Sequence, residues 1–222
     1  MRSRLNEELI QLHTLLEEMG DMIEEALEGS VKALATEDFE SARAIIENDI
    51  NINRQQRDIE ALCYKMLLTE QPVAYDLRSI STALKMVTDM ERIGDQAADI
   101  CSLVLHSGKT ETAMDYGHIS RMAEVTIKMV KNSIKAFITT DLDLAKAVCA
   151  NDDEVDDLFK KAQNDLVELI RHDVSKSEQA IDMLMIAKYF ERIGDHATNI
   201  GEWVIYSITG ERKVTGRHPS AT

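Results

Sequence analysis

The sequence predicts an all-α protein built as two tandem, structurally similar antiparallel three-helix bundles, six long helices in all. Three observations carry that prediction. Apolar residues recur at three- and four-residue steps along almost the whole 222-residue chain, the period of helices that bury one face. Only two prolines (Pro72 and Pro219) and nine glycines interrupt a sequence rich in Ala, Leu, Glu, Met and Ile, all helix-favouring apart from the β-branched Ile. A ten-residue phrase also returns: ERIGDQAADI at 91–100 reappears as ERIGDHATNI at 191–200.

The first helix carries Leu5, Leu9, Leu12, Leu16, Met19, Ile23 and Leu27 as one stripe and is expected to reach about Ala35. TEDF at 36–39 then reads as a stop and a new start, with Thr36 and Asp38 both suited to capping. The second helix runs from about Phe39 to Leu68 with Ile45, Ile52, Ile59, Leu62 and Met66 inward. Pro72 ends it, because the residue before a proline is pushed out of helical geometry. A third helix follows from about Val73 to His106, and SGKTETAMDYG at 107–117 reads as a linker. The pattern then repeats. Ile119, Met122, Thr126, Met129 and Phe137 mark a fourth helix that stops near TTDLD; a fifth spans about Asp141–His172 and a sixth about Ser177–Thr209. Short connections make consecutive helices antiparallel neighbours. The expected units are residues 1–108 and 113–212, followed by a polar tail at 213–222.

Formal charge is −15 and the chain is 29% charged. Such a surface repels nucleic-acid backbones and anionic membranes, and Arg212, Lys213 and Arg217 read as a solvated tail. No nucleic-acid partner is expected. No apolar run approaches the ~18 residues of a membrane span, and the polar start MRSRLNEELI lacks a signal-peptide core. Cys63, Cys101 and Cys149 are odd in number and form no CxxC, which suits small core residues in a reducing compartment. A cytoplasmic protein is expected.

The repeated phrase holds the chemistry. At about 100° per residue, Asp95 falls about 40° and Asp99 about 80° from Glu91, a ladder of three carboxylates on the flank of the buried stripe. Glu191, Asp195 and Asn199 take the same angles in the second copy. In the second helix, ENDININ at 47–53 corresponds to ANDDEVD at 150–156, so that Asp49 matches Asp152, Ile52 matches Val155 and Asn53 matches Asp156. If neighbouring helices pack antiparallel, these acids face one another across a groove and supply enough oxygen ligands for a hard or borderline cation. Without a cation, like charges at i, i+4 cost a few tenths of a kcal/mol each. The plain alternative is a solvated acidic face. Gly94 and Gly194 weigh against it, since glycine inside a helix costs ~1 kcal/mol relative to Ala and is best explained by close approach of a neighbour.

QPVAYDLRSISTALKMVTDMERIGDQAADI at 71–100, with YFERIGDHATNI at 189–200, resembles the PhoU family of accessory regulators of bacterial phosphate uptake. The resemblance spans essentially the whole chain. It implies two similar three-helix bundles and multinuclear iron or zinc sites on paired acidic motifs. Carried onto this chain, those are Asp49, Asn53, Glu91, Asp95 and Asp99 in the first half, and Asp152, Asp156, Glu191, Asp195 and Asn199 in the second. Asn53 and Asn199 are neutral amides, each removing a negative charge from its site. The resemblance further implies a negative regulator of the phosphate-starvation response. Such a protein links the ATPase subunit of the phosphate ABC transporter to a sensor histidine kinase, and is often a homodimer.

Catalysis is not expected. There is no nucleophile constellation and no Gly-rich phosphate loop. The alternative of a metal-binding helical protein with a storage or di-iron role is weakened by the absence of any Glu-x-x-His step. His196 lies about 140° around the helix from Glu191, off the acid ladder.

Overall fold

A computed structural model describes residues 2–107 and 117–211; most of the expected linker and the whole expected tail, including Arg212, Lys213 and Arg217, lie outside them. The described residues are helical apart from short turns: α1 (Arg2–Thr36), α2 (Phe39–Thr69), α3 (Tyr75–Ser107), α4 (Gly117–Thr139), α5 (Leu142–Ala150), α6 (Asp152–His172) and α7 (Ser177–Thr209). The sixth expected helix is α7. The fifth is divided in two at Asn151.

The hairpin turns repeat with the sequence. Glu37 (φ 52°) ends α1 and Thr140 (φ 55°) ends α4 in the left-handed region. In each case the next residue N-caps the following helix: Asp38 accepts from the Ser41 N–H at 3.1 Å, and Asp141 from the Leu144 N–H at 2.9 Å. Of the two capping residues expected in TEDF, Asp38 is the one used. After α2, Gln71 (φ 47°) and Ala74 (φ 47°) extend the turn around Pro72, so α3 starts at Tyr75, two residues later than expected.

Packing joins the halves more closely than a tandem pair suggests. α1, α2 and α3 pack on one another, as do α4, α6 and α7, with α5 against α4 and α7. The halves meet twice, α3 on α7 and α1 on α4, so α1, α3, α7 and α4 form a closed four-helix centre flanked by α2 on one side and by α5 and α6 on the other. One apolar core runs through both halves, from Leu12, Leu16 and Met19 through Met86, Met90 and Ile93 to Phe190, Ile193 and Ile200. At roughly 25 cal/mol per Å² of apolar surface removed from water, this shared core is the main source of stability.

The α3–α7 crossing is antiparallel. Arg78 Nε donates to the Ser207 carbonyl, Thr82 Oγ1 to the Trp203 carbonyl, and Ser107 Oγ to Asp182 Oδ2 at 2.6 Å. The pairing runs in opposite directions along the two helices and centres on the two ERIGD segments. These therefore lie together at a pseudo-two-fold axis.

The break at Asn151 has a counterpart across the interface. A Cβ on Gly201 of α7 would lie 3.0 Å from Cys149 Sγ and 3.2 Å from the Ala145 carbonyl oxygen, so the α5 backbone rests directly on this glycine. The matching position in the first half is Cys101, packed with Ala33 and Ala42, and α2 there is continuous. All three cysteines are free. Burial pushes the thiols up to about 12 for Cys63 and Cys101 and about 11 for Cys149, in keeping with core packing.

Gly201→Ala is expected to lower stability by roughly 1–3 kcal/mol, because a backbone oxygen cannot move aside as a side chain can. Gly194→Ala, whose Cβ would meet Val155 at 3.4 Å and Thr126 at 3.7 Å, both ordinary contacts with side chains, is expected to be neutral or to add up to ~1 kcal/mol of helix propensity. Urea denaturation midpoints of the two variants check the contrast.

Candidate cation clefts

Each half has a cleft where the outer helix (α2 or α6) lies against the central one (α3 or α7), and the acids gather there. In the first half the floor is tight: a Cβ on Gly94 would stand 3.0 Å from Ile52 Cδ1, 3.1 Å from Ile52 Cγ2 and 3.7 Å from Asp49 Oδ1. In the second half the same position, Gly194, meets Val155 at ordinary distance. Val155 is a methylene smaller than Ile52, and that explains the extra room. Both glycines sit beneath the clefts, but only Gly94 is needed for close approach.

Asp49, Glu91 and Asp95 come together in the first cleft. Burial raises the Asp49 carboxyl above the usual range, and the Asp95 charge raises it further, with Asp99 adding to this; a hydrogen bond from Asn53 opposes it. Glu91 is raised by burial, then by Asp95, with Asp49 and Glu60 adding and Arg92 opposing. Asn53 Nδ2 donates to Asp49 Oδ2 at 2.7 Å, so Asn53 acts as a donor to the acid beside it. That leaves Asp49 Oδ1 buried with no hydrogen bond, and Glu91 Oε2 likewise, with Arg92 Nε 3.4 Å away. Arg92 also binds Asp95 at 3.1 Å from the exposed rim.

Asp152, Asp156, Glu191 and Asp195 form the second cleft. The Asp152 carboxyl is pushed up to about 6 by burial, against a hydrogen bond from Thr198 and with Asp195, Asp156 and Asp153 adding to the rise. Thr198 Oγ1 donates to Asp152 Oδ1 at 3.1 Å. Burial and Glu191 raise Asp156, while Lys160 and Lys188 oppose.

The third rung of each ladder turns toward the seam between the halves. Asp99 is exposed and takes a hydrogen bond from the Tyr189 hydroxyl beside Arg192, which counters the rise caused by burial. Asn199 Nδ2 donates to Asp89 Oδ1 at 3.1 Å, and His196 Nδ1 contacts the same oxygen at 2.8 Å. At about 80° around the helix from the first rung, these side chains reach the α3–α7 crossing. His196 is off the ladder, as its angle predicts. Lys188, Thr198, Asp89 and Tyr189 were not among the residues picked from sequence. Of these, Lys188 stands three residues before Glu191, a helical ion-pair spacing that was open to view.

The fit to a cation rests on donor chemistry and uncompensated charge. Both clefts offer only oxygen donors of the kind hard and borderline cations take. Buried oxygens without hydrogen bonds are expensive, and the first cleft has two. Among the described residues, no three His, Cys, Asp or Glu side chains converge as placed on a single metal position.

This is a duplicated three-helix bundle, one helix of the second repeat being divided at Asn151, with an acid-lined cleft in each repeat. The PhoU domain model matches it twice, over residues 16–104 and 119–204. The phosphate-specific transport system accessory protein PhoU homolog of Clostridium acetobutylicum is 37% identical over 95% of this chain and 97% of its own length. The homolog from Pseudomonas aeruginosa is 34% identical over 93% and 86%. The crystal structure of PhoU from Pseudomonas aeruginosa superposes with a TM-score of 0.87 at 33% identity, covering 93% of this chain and 99% of that one. The phosphate transport system regulatory protein PhoU from Streptococcus pneumoniae superposes with a TM-score of 0.86 at 26% identity. The chain belongs to the PhoU family.

Because the Asp152 carboxyl is raised, its ionisation opposes folding. Stability is lost as pH rises from the unfolded value near 3.8 through the folded value of about 6. Asp152→Asn keeps an acceptor for Thr198 and removes that cost. In chelator-treated buffer it is expected to be more stable than the parent at pH 7.5 by about 1 kcal/mol, allowing for solvent screening of a half-buried group. Urea melts at pH 4 and 7.5 check that the advantage vanishes at the lower pH.

Proposed function

We propose that this protein is an accessory component of a phosphate transport system and acts in the cytoplasm as a negative regulator of phosphate uptake and the phosphate-starvation response. In this reading it is a non-enzymatic adaptor between the ATPase subunit of the phosphate ABC transporter and a sensor histidine kinase. The observation that carries the reading is the near full-length likeness, in both halves, to accessory proteins of phosphate-specific transport. No helix of the described residues is long and apolar enough to cross a membrane, as suits a component that reaches a membrane system through its partners. A homodimer is part of the proposal.

Deleting the gene, with any paralogue, is expected to raise alkaline phosphatase expression in phosphate-replete medium. Unchanged expression would sink the regulatory reading. A pull-down from phosphate-replete cells is expected to recover the transporter ATPase or the kinase.

A second reading is favoured by one observation, the buried oxygens of Asp49 and Glu91 that receive no hydrogen bond. Here the clefts bind iron or zinc, through Asp49, Glu91 and Asp95 in the first half and chiefly Asp152 and Asp195 in the second, where Glu191, beside Asp156, is already paired with Lys188. The metal would supply positive charge that turns mutual repulsion into cross-linking of the outer helix to the central one. Untagged protein is expected to retain at least one equivalent of transition metal and to melt higher on adding zinc. Less than about a tenth of an equivalent with no thermal shift would remove this reading and leave the adaptor role standing.

A further inference from the structure

The duplication permits a position-by-position comparison of the two clefts, and besides Thr198, which replaces Ala98, they differ at three further places on the outer and central helices. Where the first half has Asn53, Thr88 and Gln56, the second has Asp156, Lys188 and Phe159. Lys188 Nζ donates to Glu191 Oε1 at 2.7 Å and stands 2.6 Å from Oε2. Oε2 has no hydrogen bond of good angle, yet at that distance its charge is met. The same ammonium lies 5.3 Å from the centre of the Phe159 ring, a cation–π contact, and its charge acts on Asp156. In the first half Thr88 turns back to its own helix, its Oγ1 donating to the Leu84 carbonyl. Glu91 there has only the rim guanidinium of Arg92 at 3.4 Å.

At these positions the second cleft gains an acid, Asp156, and a base, Lys188, which pairs with Glu191 and whose charge reaches Asp156. The two changes cancel in charge. We propose that Lys188 is a tethered counter-cation occupying the outer part of the second cleft, paired with Glu191, so that an exogenous metal ion is excluded from a position that Glu191 and Asp156 would otherwise help to bind. Phe159 holds the ammonium there. This rests on the reading of the clefts as cation sites, and it makes the two halves unequal: the outer acids of the second half are satisfied from within the chain.

The test compares three proteins, all freed of metal by chelation and checked for helicity and monodispersity: the parent, Lys188→Thr, and Asp156→Asn/Lys188→Thr, which carries the first-half residues at both charged positions. Lys188 is half exposed, so folding of its variants is expected. Zinc(II) alone is titrated by calorimetry, and bound metal is counted after dialysis. Lys188→Thr is expected to bind one more equivalent per chain than the parent and to gain a larger thermal shift from zinc. The double variant is expected to return to the parent's stoichiometry. Zinc bound by the parent with no gain in Lys188→Thr would overturn the Lys188 proposal and leave the metal reading intact. Zinc bound by none of the three would overturn both, and a gain kept in full by the double variant would overturn the role assigned to Asp156.

Discussion

The antiparallel crossing of α3 and α7 governs the rest of the molecule. Both helices carry a glycine turned toward an outer helix, both give one face to the crossing and another to that outer helix, and both hold an acid ladder between those faces. Ile93, Ala97 and Ile100 on one side and Ile193, Ala197 and Ile200 on the other are buried. That leaves no freedom to rotate either helix: a turn that relieved a crowded acid would expose core residues at 1.5–3 kcal/mol apiece. The carboxylates are held together because the core is held together.

The clefts are where that constraint is felt. Desolvation is the largest influence on Asp49, Glu91, Asp152 and Asp156, and the neighbouring acids come behind it. Each half relieves the strain with its own means. The first uses an amide donor on Asp49 and a guanidinium at the rim; the second uses a threonine hydroxyl on Asp152 and an ammonium on Glu191. A bound cation is a further means of the same kind, and the two halves leave different places for it.

Much of this was legible in the sequence because helices report themselves through period and caps. The stripe through Leu12, Leu16, Met19, Ile23 and Leu27 is wholly buried, and the ends of α2 and α7 fall within a residue or so of the boundaries the sequence suggests. The break at Asn151 was hidden, since no Pro or Gly marks it. The segment just before it rests on Gly201, fifty residues away in sequence and on another helix. Within the clefts, the pairing of Asp49 with Asp95 follows from helical angles, whereas the turn of Asp99 and Asn199 toward the seam depends on where the other half packs. A helical wheel gives the angle of a side chain about its own axis and nothing about which of two neighbouring helices it will meet.

The closed four-helix centre has a consequence for how the clefts could come to differ. A single three-helix unit would leave the faces of its first and third helices bare, and a second identical unit is the natural cover for them, giving a symmetric pair bound by concentration. Joining two units in one chain makes that encounter intramolecular and permanent. It also lifts a restriction that symmetry imposes, because identical subunits must carry identical sites and linked ones need not. Asp156 with Lys188, opposite Asn53 with Thr88, is a divergence open only to a pair that has been fused.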